Sequence, residues 1–289
     1  MPTAPSAAIP SGLIPTGLIP TGLVPSAASP PVSSGEFRAP GGELFEWGPL
    51  WPGVLPDWIT KPVLLIVLSA LAVCAFSWRA FGRPSLVPRG IQNVGELGYL
   101  FVRDQIARPM IGADGDRWMP FLLPLFLFVL AMNLMGDVPV LQLPATSHFA
   151  MPLLLALLCY ALYLGLSIRT QGFAGYFRNI MFPPGLPVWV YVFYAPIELL
   201  QHLVLRPFTQ SVRLFANMFA GHILLAFFAT VAWWFLLERP TVAGFGLGVV
   251  GVLMSVLLTA FEIFVQVLQA YIFTLLAASY IGGALHPDH

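Results

Sequence analysis

The chain has 289 residues, 58% hydrophobic and 9% charged, with zero formal net charge and a mean hydropathy of +0.83. Soluble domains carry roughly 25% charged residues, so this composition excludes a water-soluble globular protein and makes lipid the main solvent. Twelve arginines and Lys61 are balanced by 13 acids, which gives no support for nucleic-acid binding.

Residues 1–42 read as a disordered, proline-rich tail, and 43–289 as a single membrane domain. In the tail a short unit recurs as Ile9-Pro-Ser-Gly-Leu, Ile14-Pro-Thr-Gly-Leu and Ile19-Pro-Thr-Gly-Leu. Proline at that interval blocks helix and sheet alike. The tail has no basic start and no continuous apolar core, so it is a poor signal peptide. Phe45, Trp47, Trp51 and Trp58 follow, as expected at a membrane–water interface.

The first span is expected over about 62–80. Between 84 and 117, Val94, Leu97, Leu100, Phe101 and Ile106 fall near helical spacing among charged residues, the pattern of an interfacial amphipathic helix. Further spans are expected over about 118–136 and 149–168, with Asp137 and His148 in the short loop between them. Asp137 reads as a helix-end cap near water. Cys74 and Cys159 sit in apolar runs without metal-ligand spacing and read as buried apolar thiols.

The stretches 190–237 and 241–284 each run more than 40 residues without a polar turn. As helices they would exceed ~60 Å, about twice the hydrocarbon thickness. Pro196 and Pro207 are places for a kink, and Glu238-Arg239-Pro240 is the turn between the two. The expectation is an all-α integral membrane protein: about five membrane-inserted helices, one interfacial helix, and a last pair forming a long, steeply tilted hairpin. Arginines follow the first and third spans and avoid the loop after the second, so the amino terminus is expected outside and the carboxyl terminus in the cytoplasm.

An ionisable group at membrane depth costs roughly 3 kcal/mol, and such groups usually face a bundle interior or a watery cavity. The first long helix carries Glu198, His202, Arg206, Gln210, Arg213, Asn217 and His222; the second carries Glu262, Gln266 and Gln269. Glu198, His202 and Arg206 follow at i, i+4, i+8 and are expected on one face. Arg213 and His222, nine residues apart, fall on opposite sides of the helix, about 13 Å apart along its axis. Glu262, Gln266 and Gln269 form one polar stripe. Arginine stays protonated and cannot relay protons, whereas histidine and glutamate can. Two polar regions with a fixed cation between them therefore suggest a proton path. The alternatives are a structural Arg213 paired with Glu262 or a carbonyl, a packing His222, and a buried Glu198–Arg206 pair. Gly246-Leu-Gly248-Val-Val-Gly251 fits a dinucleotide fingerprint but lacks the strand before it and the acid after it. Helix packing is the better reading of those glycines, including the Gly244/Gly248 pair.

The segment Ser211-Val-Arg213-Leu-Phe-Ala-Asn217-Met-Phe-Ala-Gly221-His222 resembles the signature helix of the F-type ATP synthase a subunits. Leu268-Gln269-Ala-Tyr271-Ile-Phe273 resembles the family's final helix, and Asn133-Leu-Met-Gly-Asp-Val-Pro139 the end of an earlier one. The resemblance covers about residues 84–284. It implies the stationary proton-translocating subunit of a rotary motor, with no active site of its own and no cofactor or metal. Its partners would be the c-subunit ring, b-type peripheral-stalk subunits and membrane lipid. By the same resemblance Arg213 separates two half-channels and meets the ring carboxylate, Gln269 lies opposite it, and His222 with Glu262 lines the outer half-channel. Gln266, His202 and Arg206 are supporting candidates. The family's carboxylate is expected about 14 residues before the arginine, whereas Glu198 stands 15 before Arg213. The tail is outside the family pattern. An arginine- and proline-rich chain fits a bacterial plasma membrane. A proton-coupled secondary transporter is the alternative, though no duplicated halves are evident. An intramembrane enzyme would need a nucleophile–base pair or metal cluster that the sequence does not display.

Overall fold

The computed structural model of the chain describes residues 37, 39–45, 56, 60–82, 85, 87–138, 146, 148–182, 187, 189–238 and 240–286. Most of the tail expected over 1–42 lies outside the described residues. So do Trp47, Trp51 and Trp58 of the aromatic stretch.

Among the described residues the regular structure is helical. Helix α1 spans Lys61–Phe81, opening with Pro62 in its first turn, where proline's missing N–H costs nothing. Helix α2 is Ile91–Val102, followed by a π-helical turn, Arg103–Ala107, and short α3, Arg108–Ile111. Helix α4 is Gly115–Leu134, extended to Asp137 by a 3-10 turn. Helix α5 is Ala150–Gln171, and α6, Phe173–Met181, is a short amphipathic helix entered through Gly172 at φ 77°, a left-handed conformation that favours glycine. Helix α7, Tyr191–Leu200, continues through a π turn, Gln201–Leu205, into α8, Arg206–Trp233, and a last π turn, Trp234–Glu238. Helix α9, Val242–Leu285, is capped by Thr241, whose hydroxyl accepts from the Gly244 amide at 3.0 Å. Five helical stretches are long and apolar enough to cross a membrane; the last two are 48 and 44 residues.

The three π turns share a sequence cause. Each ends two residues before a proline: Ala107 before Pro109, Leu205 before Pro207, Glu238 before Pro240. A proline ring collides with the carbonyl four residues back and leaves it without a donor, and a widened turn at that carbonyl relieves both problems. The helix thus passes Pro207 without breaking, and Tyr191–Glu238 stays one helical stretch.

The core lies where α9 crosses α4, α5 and α8. It is a lipid-type core, rich in small side chains at the crossings. A Cβ on Gly251 would stand 2.8 Å from the Ala232 backbone nitrogen, and Gly282 lies against the Met110 carbonyl. Gly248 meets the Leu236 side chain in the same way. The glycine-rich start of α9 is therefore a packing surface of the α8/α9 hairpin. The interfacial helix turns most of its apolar residues outward: Val94 is 58% and Leu97 59% exposed, while Ile106 is buried. Gly95 instead faces α1, at Ala80. An outward apolar face is expected where the surroundings are lipid and not water. Upstream of α1, Phe45 is buried with its ring 4.6 Å from Phe219, and Phe37 meets Phe227 and Trp234 edge-on at 6.2 Å. Of the two cysteines, Cys159 is buried and Cys74 exposed; both are free thiols.

Candidate proton-path residues

Helix α8 has two chemically different sides because its polar residues fall half a turn out of phase. Pro207, Gln210, Ser211, Leu214, Met218 and His222 are buried, at the three- and four-residue intervals of one helical face. Arg213 lies on the other side, exposed, near the midpoint of the Tyr191–Glu238 stretch. Among the described residues its guanidinium makes no hydrogen bond or ion pair. The alternative of an Arg213–Glu262 pair is therefore not what the fold builds.

Glu262 is paired with His222: its Oε1 meets the His222 Nδ1 across the α8/α9 interface, with the two residues 6% and 9% exposed. Asp137, at the end of α4, completes the cluster. One donor atom each from Asp137, His222 and Glu262 lies within 4.8 Å of the others. This corrects the reading of Asp137 as a solvent-side cap. A carboxylate at a helix carboxyl end stands on the unfavourable side of the dipole, so capping would not hold it there. Both oxygens of Asp137 and both amide atoms of Gln266 are buried without a hydrogen-bond partner among protein atoms. Gln266 is fully buried one turn from Glu262, and its carbonyl accepts from Asn133 Nδ2 at 3.3 Å. Asn133 in turn accepts from the Thr146 hydroxyl at 3.1 Å, tying the loop after α4 to the site. In that loop, burial pushes His148 below the ordinary histidine range, so it is neutral at pH 7. Two carboxylates and an imidazole are also the one set of three donors among the described residues that could converge on a metal ion.

A cavity of about 210 Å³ lies between α8 and α9 beside this cluster, lined by Asn217, Gly221, Leu224, Phe261, Glu262 and Gln266. Gly221 keeps it open. A Cβ there would stand 2.9 Å from Glu262 Oε1 and 3.3 Å from its Cδ. Gly221→Val fills that space and displaces the carboxylate. The expected result is a drop of about tenfold in proton flux, equivalent to ~1.4 kcal/mol on the barrier, with the protein still assembled. Proton uptake into vesicles, normalised to the amount of protein, measures it.

Glu262, Gln266 and Gln269 all lie buried on one face of α9, as the i, i+4, i+7 spacing requires. No hydrogen bond joins Gln269 to Arg213 among the described residues. On α7 and its π turn, Glu198 and His202 are brought together, Oε1 to Nδ1 at 3.3 Å. Arg206 does not join them. Its guanidinium lies over the rings of Tyr163 and Tyr280 at 5.8 and 5.6 Å. The alternative Glu198–Arg206 ion pair is not formed among the described residues.

The sequence pattern of the ATP synthase A chain family matches residues 63–282. The ATP synthase subunit a of Frankia alni is 42% identical over 265 residues, 90% of this chain and 90% of that one. The Streptomyces lividans subunit a is 41% identical over 260 residues, 88% and 89% of the two chains. The chain belongs to the ATP synthase A chain family.

The π turn also bears on the one departure from the family spacing. A π-helical turn absorbs about one extra residue relative to α-helix. Glu198, 15 positions before Arg213, therefore stands where position 14 would in an uninterrupted α-helix, about 40° from the arginine instead of 60° on the other side. Sequence reading missed Asp137 as a partner of His222 and missed the tyrosines around Arg206. The family-like segment ending in Asp137-Val-Pro139 was the available signal for the first.

Proposed function

We propose that the chain is the stationary proton-translocating subunit of a rotary ATP synthase in a bacterial plasma membrane. The observation that carries this reading is the exposed Arg213, which makes no hydrogen bond or ion pair among the described residues, on the side of α8 opposite the His222–Glu262 pair. An unpaired guanidinium facing hydrocarbon is untenable, so that side of the hairpin must meet a partner of opposite charge. A ring of c subunits, each with a mid-membrane carboxylate, is such a partner.

The two polar regions then act as half-channels. A proton from the outer side reaches Asp137, His222 and Glu262 and passes along the Asn217 cavity to a ring carboxylate. Neutralised, that carboxylate turns into lipid. A carboxylate arriving from the other side meets Arg213, loses its proton, and releases it past Glu198 and His202 to the cytoplasm. The guanidinium stays charged throughout and blocks direct passage between the regions. Gln269, buried on α9, is the polar group of the final helix at this level. The subunit makes no covalent chemistry; it couples proton flow to rotation. Helices of 48 and 44 residues are far longer than a perpendicular crossing, so the hairpin lies tilted along the ring. The amino terminus faces outward and the carboxyl terminus the cytoplasm. The b-type stalk subunits hold the chain against the ring's drag.

Purifying the chain from its own membrane by a carboxyl-terminal tag tests the assignment. A ring of small hairpin subunits is expected to accompany it. Recovery of the chain alone, with substrate-dependent proton uptake in vesicles, would instead establish a secondary transporter.

A further inference from the structure

The side chains around Arg206 form a structure that the half-channel scheme does not use. Arg206 stands seven residues before Arg213 within α8, on the same side to within about 20° and about 10.5 Å lower along the axis. Its guanidinium faces Tyr163 of α5 at 5.8 Å and Tyr280 of α9 at 5.6 Å, both within the range of cation–π attraction. The two rings are themselves 5.8 Å apart. Behind them, Tyr176 of α6 is almost fully buried and packs edge-on to Tyr163 at 6.2 Å, while Tyr160 lies 5.8 Å from Tyr163. Two tyrosines thus face the arginine, and two more pack against Tyr163 behind it. Burial holds the Tyr176 phenol far above its ordinary range, so it stays neutral.

We propose that Tyr163 and Tyr280 form an aromatic cradle that fixes Arg206 as a second cation in register beneath Arg213, keeping the inner half-channel poor in protons. This rests on the half-channel reading. A free arginine samples many rotamers, and clamping it between two rings keeps its charge at one depth at low entropic cost. The ionisable groups facing it are few. On its own stretch they are Glu198, His202 and Arg213. From α5 they are Cys159, Tyr160 and Tyr163; from α6, Tyr176; from α9, Tyr280. Glu198 is the one carboxylate in that set, and it is engaged with His202, so the charge of Arg206 is not cancelled. A fixed positive charge about 10 Å from a carboxylate, at an effective dielectric of about 20, lowers its pKa by about one unit. Loss of that charge raises the proton affinity of carboxylates on the inner side, and release then requires a more alkaline cytoplasmic face.

The test uses inverted membrane vesicles carrying the assembled complex. The lumen is held at one acidic pH, the bath pH is varied, and ATP synthesis is normalised to uncoupled ATP hydrolysis in the same vesicles. Arg206→Gln is expected to move the half-maximal bath pH upward by about one unit. Tyr280→Leu, which removes a ring, is expected to shift it the same way, and Tyr280→Phe, which keeps the ring, to restore the parent profile. An Arg206→Gln profile that superimposes on the parent overturns the proposal, as does a Tyr280→Phe shift equal to that of Tyr280→Leu. If Tyr280→Leu does not assemble, the other two variants decide. Arg213→Ala is run in parallel. If it abolishes synthesis while Arg206→Gln leaves the profile unmoved, only the cradle fails; if it leaves synthesis intact, the half-channel reading fails with it.

Discussion

Arg213→Ala is expected to reduce proton-driven ATP synthesis to background, a loss of about 10²–10³-fold or more, with the complex still assembled. The residue is exposed and, among the described residues, makes no hydrogen bond or ion pair, so its removal orphans no buried partner. A purely structural role is hard to reconcile with that isolation. What disappears is the fixed charge that an arriving ring carboxylate would meet. Arg213→Lys is not conservative here. A lysine is a compact, strongly hydrated point charge with a shorter reach, without the planar fork that grips a carboxylate. The measurement is ATP synthesis in reconstituted liposomes driven by an imposed pH gradient and potential.

Glu262→Gln has the second-largest expected effect. The amide occupies the same volume and can still hydrogen-bond to His222, but it cannot take up or give back a proton. Loss of a positioned proton-transfer group costs about 10²–10⁴-fold, and the lower end applies because Asp137 and His222 remain in the cluster. Asp137→Asn is expected to show a smaller loss in the same direction. Passive proton flux through vesicles stripped of the soluble ATPase separates these from assembly defects, since ring content can be counted in the same membranes. Equal flux in the parent and Glu262→Gln would remove Glu262 from the path.

The long helices were legible in the sequence because no polar turn divides 190–237 or 241–284 and one Glu-Arg-Pro turn separates them. So was the two-sided character of α8, since nine residues put Arg213 and His222 half a turn apart whatever the tertiary context. The pairing of His222 with Glu262, which the sequence could suggest only through a family resemblance, is made by the α8/α9 packing. What was not legible depended on either helix geometry or long-range contact. The i, i+4, i+8 spacing of Glu198, His202 and Arg206 left a Glu198–Arg206 pair open, but tertiary contacts decide the partners: Glu198 meets His202, and Arg206 lies over tyrosines of α5 and α9. Pro207 gave the site of a bend but not its form, because a kink and a π turn answer the same steric demand. Asp137 lies 85 residues from His222 and 125 from Glu262 in sequence, and no periodicity links them. The tyrosines of the cradle read as ordinary apolar helix residues, because nothing in a one-dimensional pattern shows which cation they will face.

The central claim is that Arg213 separates two proton paths, and its most direct test is passive proton flux through Arg213→Ala vesicles, measured beside ATP synthesis. The account predicts that synthesis vanishes while passive flux persists or rises, because the barrier between the half-channels is gone and each half-channel still conducts. Synthesis near the parent level, with the complex intact, would contradict it and make Arg213 a dispensable surface residue.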